Sequence, residues 1–389
     1  MNMYLIYDEL IYNLHLHFCF VYFAAMLLKE IVSALEELAP PRLQESYDNS
    51  GLLVGDPMQQ ITGAIICLDS TEAVIDEAIS RGCNLVVAHH PIIFSGLKRL
   101  TGKNYIERTV IKAIRNGVAI YAIHTNLDNV KHGVNRKIAD KLGLNALRIL
   151  APKPDQLLKL EVFVPAASAE AIRLAVFGAG GGHIGNYDEC SFATAGSGTF
   201  RPLSGANPTL GELGIRHTES EVNLSFVVPK WLKSIVHRAM VMAHPYEEVA
   251  HQWVALENIH QEVGSGMIGE LAEPMEINRF LGLIKEKMKA AVVRHTAPVQ
   301  KMVSRVAVCG GSGSFLLSDA IAAGADVFVT ADYKYHQFFD ADGRIVIADI
   351  GHFESEQFTI ELLGDWFKQK FPTFASHLTA IETNPVHYL

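Results

Sequence analysis

A pattern of strand, helix and strand occurs twice in this chain, and it limits the possible folds more than any other feature. Without a gap, the alignment that pairs Cys67 with Cys309 also pairs Ser70 with Ser312, Gly82 with Gly324 and Val87 with Val329. Two strands joined through a helix lie parallel, with a right-handed crossover between them. The repeat therefore predicts an α/β fold in which two similar lobes face each other across one cleft.

The chain has 389 residues, which is too long for one ordinary core. The repeat predicts a first α/β lobe over residues 26–151 and a second over 259–389. Between them, residues 152–258 form a predicted inserted domain. These boundaries place the two copies of the repeat in different lobes.

The predicted insert contains two strand-then-helix units. Apolar alternation predicts strands at 158–165 and 221–229, each followed by a helix, at 167–177 and 231–243. This order is typical of a ferredoxin-like α+β sandwich. A glycine-rich stretch at 178–187 suits either an anion cradle of backbone N–H groups or a loop that needs glycine for tight turns.

Residues 1–25 are interpreted as a non-native or disordered N-terminal extension. The apolar stretch 11–28 is nearly long enough to span a bilayer, but Asn13, His15 and His17 interrupt it. Acidic residues also stand where a signal peptide would be basic. Because Met26 opens a good amphipathic helix, the pattern favours a translation start at Met26 over a membrane anchor.

Composition indicates a soluble cytoplasmic protein. Hydrophobic residues make up 49% and charged residues 19%, the isoelectric point is near 6.0, and the net charge is −9. That charge gives no general footprint for nucleic acid, and we expect no membrane association. The five cysteines form no CxxC pair, and they are interpreted as reduced thiols of a cytosolic protein.

Side chains of metal-ligand type follow three apolar strands. They are His89 and His90 after the run 83–88, His124 and Asp128 after 117–123, and His352 and Glu356 after 345–350. Ligands collect beyond the carboxyl ends of strands in open α/β sheets, so these groups are expected to meet. Because the chain has 17 histidines, an isolated one is more often structural than a ligand. The joint pattern at three strand ends favours a metal site.

The order of these side chains also indicates how many ions they hold. Successive side chains on an extended backbone point to opposite sides, so His89 and His90 are expected to serve different ions. A helix that begins at Gly351 places His352 and Glu356 one turn apart on a common face. Imidazole and carboxylate ligands suit Zn, Mn, Fe, Co or Ni and do not distinguish among them.

Several motifs in register resemble one known family. The sequences HisHisPro, HisThrAsnLeuAsp and GlyHisPheGluSerGlu occur in this order, and stretches 47–55, 309–314 and 330–336 also match. They are similar to the GTP cyclohydrolase 1 type 2 homologs, also called the Nif-three-like family of dinuclear-metal proteins. The resemblance runs from about residue 26 to about residue 372, and the insert resembles the PII/CutA-like domain of longer members.

The resemblance implies specific roles for the strand-end residues. It implies that His89, His90, Asp128, His352 and Glu356 bind two divalent cations, with a carboxylate that bridges them, inside a toroidal homohexamer. The family name implies hydrolytic attack at C8 of the guanine ring of GTP. His124 or His336 is then a candidate for proton transfer near the leaving nitrogen.

Two classes of function follow. The first is a metal-dependent hydrolase that acts on a small molecule such as a nucleotide, because paired metals activate water. The second is a non-enzymatic protein that binds or delivers metal ions or acts as a regulatory scaffold. A proton shuttle and a substrate pocket favour the enzyme, whereas metal exchange without turnover favours the carrier.

Overall fold

The computed structural model describes residues 26–389. The expectation for residues 1–25, including Cys19, lies outside the described residues. The other four cysteines are free, and Cys67, Cys83 and Cys309 are buried, as expected for reduced thiols. Within residues 26–389, no helix is long and apolar enough to cross a bilayer.

The first half of the chain alternates buried strands with amphipathic helices. Its elements are β1 (Met26–Leu27), α1 (Leu28–Leu38), β2 (Gly51–Val54), β3 (Gln60–Ile61), β4 (Ala64–Cys67), α2 (Glu72–Ser80), β5 (Leu85–Ala88), α3 (Tyr105–Arg115), β6 (Ala119–Ala122), α4 (Thr125–Asp128), α5 (Val134–Lys141) and β7 (Asn145–Pro152). Side-chain caps begin two helices: the Thr71 oxygen accepts from Val74 N, and the Asn104 oxygen accepts from Glu107 N.

The insert has the predicted ferredoxin-like order. Its elements are β8 (Leu157–Pro165), α6 (Ala169–Gly178), β9 (Phe192–Phe200), β10 (His217–Pro229), α7 (Lys233–Ala243) and β11 (His251–Leu256). The four strands form one antiparallel sheet in the order β11-β8-β10-β9. The insert leaves and rejoins the core at one place, because Pro152 pairs with Gly264 and Lys153 N donates to Val263 O at 3.0 Å.

Close packing accounts for glycine in the stretch 178–187. Gly182 has φ +82°, and a Cβ there would lie 2.8 Å from both Cys190 O and a ring carbon of Phe177. A side chain is therefore excluded at this position by the neighbouring atoms. Of the two interpretations left open by the sequence, the structure supports the tight turn.

The last part of the chain returns to alternating strands and helices. Its elements are β12 (Gly264–Glu276), α8 (Ile277–Lys287), β13 (Arg294–His295), β14 (Met302–Ser312), α9 (Leu317–Ala322), β15 (Val327–Ala331), β16 (Val346–Asp349), α10 (His352–Glu356), α11 (Thr359–Lys370) and β17 (Ser376–Leu378). A 3₁₀ helix at Tyr335–Ala341 lies between β15 and β16.

The strand–helix–strand repeat is confirmed, including its register. In the first sheet β4 and β5 are parallel with Ala64 opposite Leu85, and in the second β14 and β15 are parallel with Val306 opposite Val327. These two pairs are equivalent in the alignment of Cys67 with Cys309. The sheet orders are β17-β4-β5-β6-β2 and β13-β16-β15-β14-β12-β7.

The two sheets share one hydrophobic core on their inner faces. Ile66 and Val87 of the first sheet belong to the same buried cluster as Val308 and Val329 of the second. The outer face of each sheet packs on its own helices, α2 and α3 in one case and α9 in the other. This arrangement brings the carboxyl ends of the two parallel strand sets to a common edge, as the side-chain distances given below show.

The two sheets exchange one edge strand each, so they do not divide cleanly at the predicted boundaries. β7 lies almost entirely within the predicted first lobe, which ends at residue 151, but it pairs with β12 in the second sheet. β17, near the C-terminus, pairs with β4 in the first sheet. Each half of the chain therefore completes the sheet of the other half.

Candidate metal centre

Six ligand-type side chains converge where the two sheets meet. His89 and His90 follow β5, His124 and Asp128 lie at α4 after β6, and His352 and Glu356 are the two ends of α10 after β16. Their ligand atoms form three groups, each within 4.8 Å: His89 with His90 and His124, His90 with His352 and Glu356, and His89 with Asp128 and Glu356. The structure thus brings together all six side chains that follow the three strands singled out in the sequence.

The Glu356 carboxylate lies between two groups of ligands. Its Oε2 is 2.9 Å from His90 Nε2 and 3.1 Å from His352 Nε2, while its Oε1 is 3.8 Å from His89 Nε2. The residue is buried, and a Cβ on Gly311 would lie 2.5 Å from Oε1. Glycine at 311 therefore leaves the room that this carboxylate occupies, and each oxygen faces a different group.

All four imidazoles of the cluster are held through Nδ1. The acceptors are Ile123 O for His89 at 2.8 Å, Asp69 for His90 at 2.8 Å, Asp48 for His124 at 2.7 Å and Asp332 for His352 at 2.7 Å. A hydrogen bond at one ring nitrogen fixes the ring and leaves the other nitrogen free to bind a metal. Each ring is thus oriented with Nε2 as the available ligand atom.

Two buried atoms test whether the cluster suits a cation. His89 Nε2 and Asp128 Oδ1 are shielded from solvent and have no hydrogen-bond partner among the described residues. They lie 3.7 Å apart, too far for a hydrogen bond. A buried polar atom without a partner costs about 1–3 kcal/mol. A divalent cation held by His89, Asp128 and Glu356 would satisfy both atoms, so these residues fit a metal.

Burial and the carboxylates of the cluster shift the pKa values of three of its side chains upward. Burial favours neutral His90, but its hydrogen bonds to Asp69 and Glu356 outweigh burial and raise its pKa to about 9. The charge of Glu356 raises the pKa of His352 to about 11, against the opposing effect of burial. Burial and the nearby Glu356 raise the pKa of Asp128 to about 7. Metal cations would displace these protons, as coupled metal and proton binding requires.

Glu356 itself is held as a carboxylate. Burial would raise its pKa, but the positive His352 and the hydrogen bonds from His352 and His90 keep the pKa well below the usual range. Asp48 is similar, because its hydrogen bonds to His124 and Thr125 outweigh burial and lower its pKa. The carboxylate that faces both groups is therefore charged, as a carboxylate that binds a cation must be.

The structure separates the two histidines proposed for proton transfer. His124 joins the cluster, whereas His336 is exposed in the 3₁₀ helix Tyr335–Ala341, with its ring against Tyr335 and Phe339. His336 belongs to none of the three ligand groups. The structure thus does not bring His336 to the cluster, and its role in proton transfer stays a prediction.

Sequence reasoning missed the residues that orient the rings. Asp48, Asp69 and Asp332 were not proposed as part of the site, although each holds one imidazole. Asp69 and Asp332 could have been found by the same rule as the ligands, because they follow the carboxyl ends of β4 and β15. Asp48 precedes β2 in a turn and carries no such signal.

Two cavities open beside the cluster. One of about 580 Å³ is lined by residues that include Arg294, Asn384 and Tyr388. The other, of about 300 Å³, is lined by residues that include Phe94, Tyr105 and His124. Asp69, His90 and His352 line both cavities. A small molecule in either cavity would therefore lie next to the ligand atoms.

Comparison with known proteins gives consistent matches over nearly all of the described chain. The family model for Duf34/NIF3 (NGG1p interacting factor 3) matches residues 26–385. A GTP cyclohydrolase 1 type 2 homolog of Halalkalibacterium halodurans is 40% identical over 325 residues, which cover 83% of this chain and 87% of that protein. One from Bacillus subtilis is 38% identical over 327 residues, 84% of this chain and 88% of that protein.

A solved structure agrees with these sequence matches. The crystal structure of a Bacillus cereus protein related to NIF3 superposes with a TM-score of 0.83 at 36% identity. The match covers 94% of this chain and 100% of that protein. The similarity therefore includes the insert as well as the two sheets.

Proposed function

The chain belongs to the Duf34/NIF3 family, and on that premise we propose that it is a dinuclear divalent-metal hydrolase that acts on a small molecule. The observation that carries the proposal is the position of Glu356. Its two oxygens face different sets of ligands, and every imidazole around it presents Nε2. A carboxylate placed in this way suits a bridge between two cations.

The residues divide into two metal positions. One is formed by His89 and Asp128, the other by His90 and His352, and Glu356 is common to both. The first position is closed by buried atoms, whereas the second lies next to both cavities through His90 and His352. The proposed ions are Zn, Mn, Fe, Co or Ni, all of which accept imidazole and carboxylate ligands.

Paired divalent cations polarise a substrate oxygen or nitrogen and lower the pKa of bound water toward neutrality. The chain adds a group that can move protons. His124 Nδ1 is hydrogen-bonded to Asp48, and its ring lines the 300 Å³ cavity. An imidazole oriented by a carboxylate in this way is suited to general acid–base catalysis. His124 is therefore the proposed proton-transfer residue.

A nucleotide or a similar planar compound is the proposed substrate class. The similar curated proteins bear a GTP cyclohydrolase-type name. Phe94 and Tyr105, which line the smaller cavity, are 49% and 59% exposed. Exposed aromatic rings next to a reactive centre can stack on a planar ring and stabilise its binding by about 1–3 kcal/mol. His336 remains a secondary candidate for proton transfer.

Metal delivery is the alternative function. The side chains of His352 and Asp332 are 41% and 46% exposed, so one edge of the cluster faces solvent. Exchange of an ion with another molecule needs such an edge. Metal transfer to an acceptor chelator without turnover of any substrate would favour this function over catalysis.

The test begins with metal analysis of the purified protein. We expect two divalent ions per chain, and we expect the reloaded protein to hydrolyse at least one compound in a panel of nucleotides and phosphoesters. Glu356→Gln, which keeps the shape but removes the charge, is the matched inactive control. A protein that retains no divalent ion would reject the hydrolase proposal. So would a protein that binds two ions but hydrolyses no compound in the panel faster than Glu356→Gln does.

A cytoplasmic homohexamer is proposed as the assembly. This proposal rests on the family resemblance, in which the dinuclear sites lie inside a toroid. Light scattering should give a mass about six times the 42.8 kDa of one chain. A monomeric mass at the concentrations used for metal analysis would reject it.

A further inference from the structure

The C-terminal segment runs from the edge of the first sheet to the metal centre. Strand β17 pairs in parallel with β4, and Thr379 N then donates to Ile66 O at 2.9 Å. Ala380 N donates to the buried Glu77 carboxylate at 3.0 Å. The backbone of this segment is therefore anchored before it reaches the ligands.

Thr383 is connected to a metal ligand through one carboxylate. Its hydroxyl donates to Asp69 Oδ2 at 2.7 Å, and the other oxygen of Asp69 is 2.8 Å from His90 Nδ1. His90 Nε2 in turn lies 2.9 Å from Glu356. The two oxygens of Asp69 thus have separate tasks: one holds the imidazole, and the other is held by the C-terminal segment.

The same segment reaches the second half of the site. Asn384 Nδ2 is 3.5 Å from Glu354 Oε1, and a Cβ on Gly351 would lie 3.1 Å from Tyr388 OH. Gly351 immediately precedes His352. The segment therefore contacts residues next to ligands from both sheets and lines the 580 Å³ cavity between them.

We propose that Thr383 is a positioning residue of the metal centre, which fixes the Asp69 carboxylate so that His90 presents Nε2 to the position shared with His352 and Glu356. The Asp69 side chain is 35% exposed, so water competes for its oxygens and the carboxylate would turn without the hydroxyl. This inference rests on the proposed binding of metal. Loss of a partner behind a ligating histidine weakens metal binding about 10- to 100-fold.

The test compares three variants in the full chain. Thr383→Val removes the hydroxyl and keeps the shape of the side chain, whereas Thr383→Ser keeps the hydroxyl. Thr373→Val makes the same change as Thr383→Val at an exposed position of the turn before β17. Co²⁺ is titrated into each metal-free protein, and its visible absorption reports both affinity and ligand geometry. Thermal unfolding of the metal-free proteins reports stability.

We expect Thr383→Val to bind one of two Co²⁺ ions at least 10-fold more weakly, with an altered spectrum, and Thr383→Ser to behave as the original chain. The thermal unfolding temperature of metal-free Thr383→Val should match that of metal-free Thr373→Val. Unchanged affinity in Thr383→Val would overturn the inference, as would equal weakening of both ions accompanied by earlier unfolding.

The outcomes separate this inference from the function on which it rests. An original chain that binds no Co²⁺ overturns both, whereas normal binding of two ions by Thr383→Val overturns the role of Thr383 alone. If Thr383→Val does not fold, Thr383→Ala provides the same comparison with Thr383→Ser, because alanine adds no methyl group that must be repacked.

Discussion

The two halves of the molecule share a scaffold but contribute differently to the site. Val87 and Val329 are equivalent, buried and part of one core. Immediately beyond them the halves differ: His89 and His90 end the first copy of the repeat, and Ala331 and Asp332 stand at the same places in the second. The strands match, whereas the residues at their ends do not.

This difference follows from what each position contacts. Residues within the parallel strands are packed on both faces of a sheet, and a change in their volume creates a cavity or a clash. Residues beyond the strand ends meet where the six candidate ligands converge, so they can differ between the halves without a change in the packed strands. The first half supplies two imidazoles there, while Asp332 of the second half orients His352, a candidate ligand from a neighbouring element.

The largest expected effect follows from a change of Glu356, the one residue that both proposed metal positions share. Glu356→Gln should lose both ions, because each position loses a negative charge, whereas Asp128→Asn should lose only the ion held with His89. The number of metal ions per chain after dialysis measures the loss in each variant. A cooperative thermal unfolding transition shows that each variant is folded. Equal metal content in the two variants would contradict the assignment of Glu356 as the bridge.

The sequence was enough to predict the repeat and the meeting of the candidate ligands for a physical reason. Parallel strands joined by helices have one register and one carboxyl edge, so residues such as His89 and Asp128 can be placed without knowledge of side-chain contacts. The one-turn spacing of His352 and Glu356 is likewise local, and the structure has both on α10.

Other features depend on contacts that local patterns do not record. β17 has three residues, and only its pairing with β4 makes it a strand, so no periodicity reveals it. The exchange of β7 and β17 between sheets is similarly long-range. The hydrogen bond from the His124 imidazole to Asp48 is of the same kind, because it joins residues 76 apart in sequence and Asp48 does not follow a strand.

A smaller effect sharpens the comparison between the two orienting aspartates. Asp69→Ala and Asp332→Ala each remove the acceptor behind one histidine of the same metal position, so each should weaken binding of that ion about 10- to 100-fold. The loss should be greater for Asp69, because the His90 side chain is 21% exposed and His352 41%, and water replaces a lost partner more easily at the exposed ring. Competition with a chromophoric chelator measures both; a larger loss for Asp332→Ala would contradict this ranking.

The shared core predicts that equivalent valines are equally important. Val87→Ala and Val329→Ala each remove two methyl groups from a fully buried site and should lower the free energy of unfolding by about 2 kcal/mol. Ile79→Ala, at an exposed position of α2, is the control and should change it by less than about 0.5 kcal/mol. Urea unfolding of the metal-free proteins checks this, and a several-fold difference between the two valines would show that the halves are not packed equivalently.

The smallest expected effect comes from the largest change, removal of the insert. Replacement of residues 155–257 by a short linker should leave the metal content unchanged, because the insert interrupts the chain only between β7 and β12, whose facing ends are Pro152 and Gly264. At this junction Lys153 forms an ion pair with Glu45 and Glu262 forms one with Lys131, and all four residues are retained. Deletion of a segment whose two ends lie side by side is tolerated when few contacts join the segment to the rest of the protein.

Metal analysis and thermal unfolding of the shortened chain measure the outcome, with the full chain as the control. An insoluble or metal-free product would mean that the two halves need the insert to form the site, and the comparison between them would then have to include it.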